Sequence, residues 1–211
     1  MDKISPVYAR LVLRELERRG IDSAPLFAGK STGRNELLRG GDISLQDFLH
    51  VLRTGDRLLG DEQLGLLLGR QMHVLAMGPV GVAIASAPSL RAGLQVLESF
   101  TRLHATYVDI DARSTLQGMT VTMLYRRDTG YAERFHTETA MLLLQQYIET
   151  LVGDQVSDAQ FRLTIPEPEN TAEYTDLLHG RVSFGAAANE VDIPHRCLDL
   201  PSPYYHSELW R

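Results

Sequence analysis

Between about residue 104 and residue 132 the hydrophobic period of this sequence changes twice, and that change limits the folds open to it. Up to about His104 the apolar residues recur at helical spacing. Gly118 to Arg126 then alternates Met119, Val121, Met123 and Tyr125 against Thr120, Thr122 and Arg126. A period of two is that of a strand with one face buried and the other in water. From Ala132 to Leu151 the pattern returns to helix, apolar over most of its circumference, as a buried helix is. Such a chain is expected to be α+β: leading helices, then a central antiparallel sheet covered by helices.

The flanking segments fill in that layout. Ser5-Pro6 predicts an N-cap and first helical position, and Gly20 a helix end, with Val7, Leu11, Leu13 and Leu16 as the buried stripe. Ala28 to Asp42 is rich in Gly, Ser and Asn and reads as a loop with about one helical turn. Ser44 caps the next helix, with Asp47 at the capping-box position and Gly60-Asp61 closing it and capping another. Pro88-Ser89 starts a long helix through about His104. Tyr107 to Ala112 is the expected hairpin partner of the central strand. Gln160 to Ile165, Val182 to Phe184 and Val191 to Ile193 read as further short β segments, with a short helix at Tyr174, Leu177 and Leu178. The leading helical part is expected over about 1–75 and the α+β part over about 76–201. Residues 202–211 are expected to begin a linker.

Composition removes several function classes. Lys and Arg number 21 against 27 Asp and Glu, a formal net charge of −6, so sequence-independent attraction to phosphates is weak. Arg10, Arg14, Arg18 and Arg19 share a predicted helix, but Glu15 and Glu17 are interleaved, which reads as a solvated face. The single cysteine, Cys197, forbids an internal disulfide and a Cys-cluster zinc site. No apolar run reaches the roughly 20 residues of a membrane span, and the N-terminus lacks a signal-peptide core. The expectation is a soluble, cytoplasmic protein.

No residue pattern announces an enzyme or a cofactor. Gly78-Pro79-Val80-Gly81 lacks the Lys-Ser/Thr of a phosphate loop, and no nucleophile elbow is present. The seven histidines never occur at the i, i+4 spacing that places two metal ligands on one helix face. His104 stacks over Leu90 and Leu97 at intervals of seven and faces either a pocket or the core. His136 and Glu138 open an apolar helix, where the ordinary account is capping and solvent exposure, and the functional one is contact with a bound anion. Arg126 and Arg127 either meet a ligand carboxylate or mark a strand reaching water. Met119, Met123 and Met141 suit a core or an adaptable pocket wall.

Two passages resemble a known family. Leu64-Gly65-Leu66-Leu67-Leu68-Gly69-Arg70, followed by Gly78-Pro79-Val80-Gly81 through Ala87-Pro88-Ser89-Leu90 to Leu94, is the first. Gly180-Arg181-Val182-Ser183-Phe184-Gly185-Ala186, continuing through Asn189-Glu190-Val191 to Leu198-Asp199-Leu200-Pro201, is the second. Both are similar to the N-terminal domain of AraC-type transcription regulators of the ornithine-utilisation kind, a domain labelled arabinose-binding. The similarity runs from about Asp42 to Pro201. Ser89 stands where Thr is commoner, and Gly93 where Ala is usual, which weakens a helix.

The resemblance implies an effector-sensing and dimerising domain, not an enzyme. A small metabolite (an amino acid, amine, fatty acid or other compound) would bind between the sheet and its covering helices, with no cofactor. Phe100, His104, Tyr107, Met123, Tyr125 and Phe135 are expected to border the cavity, with His136 beside them. DNA would be reached only through a C-terminal pair of helix-turn-helix units that lies outside this chain, so the chain is expected to be a fragment or a natural short form. Two alternatives stay open. One is a ligand-independent dimerisation module, and the other a haem or gas sensor using His104, because Leu97 to His104 faintly resembles a proximal-histidine helix.

Overall fold

The computed structural model describes residues 3–60, 63–104 and 107–210; the side chains of Lys3, Leu75 and residues 102–104 lie outside the description. A two-residue strand β1 (Lys3–Ile4) leads into α1 (Val7–Arg18), then come α2 (Arg34–Arg39), β2 (Ile43–Ser44), α3 (Leu45–Leu59), α4 (Leu64–Gly69), α5 (Pro79–Ala85) and α6 (Leu90–His104). The hairpin β3 (Val108–Ser114) and β4 (Gly118–Tyr125) precedes the long α7 (Tyr131–Val152). After it follow β5 (Gln160–Arg162), α8 (Ala172–Leu177), β6 (Arg181–Ser183), β7 (Asn189–Pro194), α9 (His195–Leu198) and α10 (Ser207–Trp210).

Helix ends follow local chemistry. Ser44 caps α3 by accepting the Asp47 N–H, and Gly60 ends it in the left-handed region that only glycine enters cheaply. Gly20 does the same after α1, with Ile21 N–H returning to the Leu16 carbonyl and Gly20 N–H to the Glu17 carbonyl in a Schellman closure. Ser89 accepts the Ala92 N–H and so caps α6. Asp61, expected to cap α4, lies outside the described residues.

Three local expectations are corrected. Ser5 makes no cap: Pro6 stands at the N-cap of α1 and no side chain closes it. Asp47 does not reach back as a capping-box acid; it is buried and accepts from the Ser31 hydroxyl (2.5 Å) and from the Thr32 N–H and hydroxyl (both 3.2 Å). Glu15 is not on a solvated face. It is buried beneath Arg18 and Arg19, which bridge to it at 2.6 and 2.8 Å, and Arg18 holds its pKa down at about 2.

The main sheet has the order β3-β4-β7-β5-β6. Its ladders are antiparallel except β5–β6, which is parallel, so the expected antiparallel sheet is a mixed one. Parallel neighbours require a crossover, and the chain from Leu163 through α8 supplies it. The register aligns Phe161, Val191 and Val121 across three strands, and Ile193 with Met119, on the face that meets the helices. The opposite face is a polar ladder. Thr120 donates to Asp192 (2.6 Å), Thr122 donates to Glu190 (3.1 Å), and Arg162 bridges both carboxylates.

One hydrophobic core extends from Ile4 to Leu198, taking residues from the leading helices and from the sheet together. One close seam is α4 on α7. A Cβ on Gly65 would lie 2.6 Å from the Phe135 carbonyl oxygen, and one on Gly69 would lie 2.8 Å from Leu142. The two glycines, four apart, let the helix backbones meet, and Thr139 donates its hydroxyl to the Gly65 carbonyl at 3.1 Å. The Gly-Leu-Leu-Leu-Gly run is therefore a packing device.

Candidate functional site

A cavity of about 250 Å³ lies between the inner face of the β3–β4 hairpin and the helices α1, α5, α6 and α7. Four of the six methionines line it, Met72, Met77, Met123 and Met141, with Ile84, Leu97, Phe100, Ile110, Val121 and Leu144 among the remaining wall. Unbranched, polarisable thioethers give a wall that adapts to shape. Among the described residues no Asp, Glu, Lys or Arg lines the cavity, and Ser5 is the exposed member of the lining.

The polar groups gather at one end. His136, on the second turn of α7, is surrounded by three tyrosines from three elements. The ring centroids lie 5.7 Å away for Tyr8 of α1, 5.4 Å for Tyr107 at the entry to β3, and 6.1 Å for Tyr125 of β4. Burial pushes His136 down to about 4 and Tyr8 up to about 12, and drives Tyr107 well above the usual phenol range. At neutral pH the cluster is thus an uncharged imidazole among uncharged phenols. The Tyr125 hydroxyl donates to the Glu133 carbonyl (3.1 Å) and lies 2.8 Å from the Thr137 hydroxyl and 3.4 Å from His136 Nδ1. The hydroxyls of Tyr8 and Tyr107 make no hydrogen bond to any described residue.

Of the site residues proposed from the sequence, Phe100, Tyr107, Met123 and His136 line the cavity. Tyr125 and Phe135 stand one layer behind: Tyr125 holds His136 from outside, and Phe135 meets Tyr8 edge-on at 5.8 Å. His104 closes α6, but its side chain lies outside the described residues, and with it the haem alternative. His136 and Glu138 are not solvent-exposed starters of a helix. Both are buried, and Glu138 accepts from Arg134 (2.8 Å) and from the Tyr174 hydroxyl. Arg126 does mark a strand reaching water and pairs with Asp109 at 2.5 Å. Sequence reasoning missed Tyr8, Thr101, Met77 and Tyr147. Tyr8 had a visible signal, an aromatic on the leading helix one residue beyond the stripe position Val7. No three His, Cys, Asp or Glu side chains converge as a metal site would require, among the described residues. No described helix is long and apolar enough to cross a membrane.

Residues 20–202 match the family described as "Arabinose-binding domain of AraC transcription regulator, N-term". The chain belongs to that family. The ornithine utilization regulator of Pseudomonas aeruginosa is 28% identical over 204 residues, covering 93% of this chain and 56% of the regulator. The crystal structure of the transcriptional regulator CdpR from Pseudomonas aeruginosa shares the fold, with a TM-score of 0.66 and 17% identity, over 97% of this chain and 60% of CdpR. This AraC-type domain therefore spans little more than half the length of the regulators it matches.

A thymidine kinase of Halobacterium salinarum also aligns, at 23% identity over 179 residues, 81% of this chain and 91% of the kinase. One stretch overlooked in the sequence reading is phosphate-loop-like. Ala24-Pro25-Leu26-Phe27-Ala28-Gly29-Lys30-Ser31-Thr32 departs from G-x-x-x-x-G-K-S/T only at its first position. The fold disarms it. The stretch follows a helix and itself opens as a 3₁₀ turn (Ala24–Phe27), where a phosphate loop follows a strand, and the Ser31 and Thr32 donors are spent on buried Asp47. This AraC-type domain is part of a regulator family, not a kinase.

Proposed function

We propose that this AraC-type domain binds a small-molecule effector in the cavity around His136 and transmits its occupancy to the rest of a transcription regulator. The observation that carries the proposal is a largely apolar cavity with its polar groups collected at one end, in a domain of a ligand-sensing family. The segment leading away from the domain supports it. Ser202 N–H donates to the Pro88 carbonyl (3.0 Å) and His206 N–H to the Ser86 carbonyl (3.4 Å), both in the turn between α5 and α6. Ile84 of α5 and Leu97, Phe100 and Thr101 of α6 line the cavity, so a ligand that favours one setting of these helices biases the exit of the chain. In the full regulator we assign DNA contact to the length this chain does not span, action to the cytoplasm, and effector response to a homodimer whose two arrangements differ in half-site spacing.

A thermal-shift screen of small metabolites, read with native mass, tests this. A ligand specific for the folded form at about 100 times its dissociation constant adds roughly 2.7 kcal/mol of stability. A hit lost on filling the cavity, with altered mass or half-site affinity, supports sensing. A stable dimer that no compound shifts turns the assignment to a constitutive dimerisation module.

A further inference from the structure

The geometry points to an effector that is uncharged and mainly apolar, with a single small polar end. It is neither the sugar nor the charged amino acid that the names of the family and its relative bring to mind. This rests on the sensor assignment above and narrows it to a ligand class.

Charge is the first discriminator. An amino acid such as ornithine carries several ionic groups, each costing several kcal/mol to strip of water unless a counter-ion meets it. The described lining offers none. Hydrogen-bonding capacity is the second. A pentose brings a hydroxyl on nearly every carbon, and each buried without a partner is penalised. The cavity's interior hydroxyls and imidazole are largely committed already: Tyr147 donates to the Ile84 carbonyl (3.0 Å), and Thr101 lies 3.0 Å from both the Leu97 and Glu98 carbonyls. What remains inside is one cluster, the hydroxyls of Tyr8 and Tyr107 and the second ring nitrogen of His136; Ser5, which also lines the cavity, is exposed.

That cluster also defines the polar end. A phenol has one proton, and Tyr125 gives its own to the Glu133 carbonyl, so it accepts from His136 Nδ1–H. The imidazole is then left with Nε2 as an acceptor, in a ring packed against the two phenols Tyr8 and Tyr107. An alcohol or a primary amide has the capacity to satisfy all three at once, donating to Nε2 and accepting from both Tyr8 and Tyr107. An ionised carboxylate accepts only. The volume, about 250 Å³, equals roughly eight waters' share of liquid. A ligand of about ten heavy atoms fits, its apolar tail running along Met77, Met123 and Met141.

The test is displacement of the neutral fluorophore naphthalene, ten heavy atoms with no polar group, from the full 211-residue chain by 1-octanol, octanamide, octanoate at pH 8, L-ornithine and L-arabinose. We expect octanol and octanamide to displace the dye. Octanoate should be at least about tenfold weaker, and ornithine and arabinose without effect. Tyr8→Phe should lower the affinity for octanamide several-fold more than that for the dye, which has no polar group to lose a partner. Ala140→Phe should abolish dye binding, with Ala140→Leu as the milder variant should the first not fold. Displacement by ornithine, arabinose or octanoate in preference to the neutral probes overturns the ligand class but leaves the sensor assignment standing. Failure of both neutral probes to displace bound dye also overturns the class. A chain that binds no dye and whose melting temperature none of the five compounds raises overturns both.

Discussion

The phenol of Tyr147 occupies the space that a side chain at Gly93 would need, and from there its hydroxyl donates to the Ile84 carbonyl at 3.0 Å. Three helices meet at that point: α7 supplies the ring, α6 the gap, and α5 the acceptor. Helix propensity alone ranks Ala above Gly by about 1 kcal/mol. Gly93→Ala is nevertheless expected to destabilise by about 1–3 kcal/mol, because the ring or a helix must move. Urea unfolding of Gly93→Ala and of Gly93→Ala with Tyr147→Phe checks this. A stabilised single variant would show that the α6–α7 contact is looser than described.

Gly65→Ala should cost at least as much, since the obstructing atoms include, beside the Glu138 side chain, the Phe135 backbone carbonyl, which cannot rotate away. A surface Gly→Ala of comparable helical position is the control. Loss of about 2 kcal/mol or more, together with faster hydrogen exchange in α4, is the expected result.

The pH response of stability should carry the mark of His136. Its pKa falls from 6.5 to about 4 on folding because burial among Tyr8, Tyr107 and Tyr125 penalises the imidazolium. Between those values the unfolded chain binds the extra proton, so stability is complete above about pH 6.5 and declines as pH falls toward 4. The loss is on the order of 3 kcal/mol at most. His136→Phe should flatten that part of the curve. Glu15 acts lower: its pKa drops from 4.5 to about 2 on folding, so its contribution is present above 4.5 and disappears as pH falls through 2. Denaturant midpoints measured from pH 7 to pH 2 for the native chain, His136→Phe and Glu15→Gln separate the two windows.

Asp47→Ala should destabilise by roughly 2–3 kcal/mol by stranding the Ser31 and Thr32 donors. Magnesium-ATP should leave the melting temperature of the native chain unchanged. A nucleotide-dependent shift would show that the Gly29-Lys30-Ser31-Thr32 loop exchanges Asp47 for phosphate.

Local chemistry determined a good deal by itself. The change of period at Gly118–Tyr125 announced the central strand, the apolar circumference of 132–151 announced α7, and Ser44, Gly20 and Gly60 marked helix ends, because caps and periodicities act within a few residues. Four of the seven expected site residues line the cavity for the same reason: each sits on the inward face of an element whose period was legible. What the tertiary structure decided depends on contacts between distant segments. The parallel β5–β6 pair needed the crossover, not the strands, to specify it. Gly93 looked like a weakness in α6 until Tyr147, 54 residues later, arrived to fill it. Tyr8 reaches His136 across 128 residues, and Asp47 turns from a cap to a loop anchor because Ser31 and Thr32 come to it. A residue's neighbours along the chain set its conformation, whereas burial and partner set its charge state and its role, and those are properties of the assembled fold.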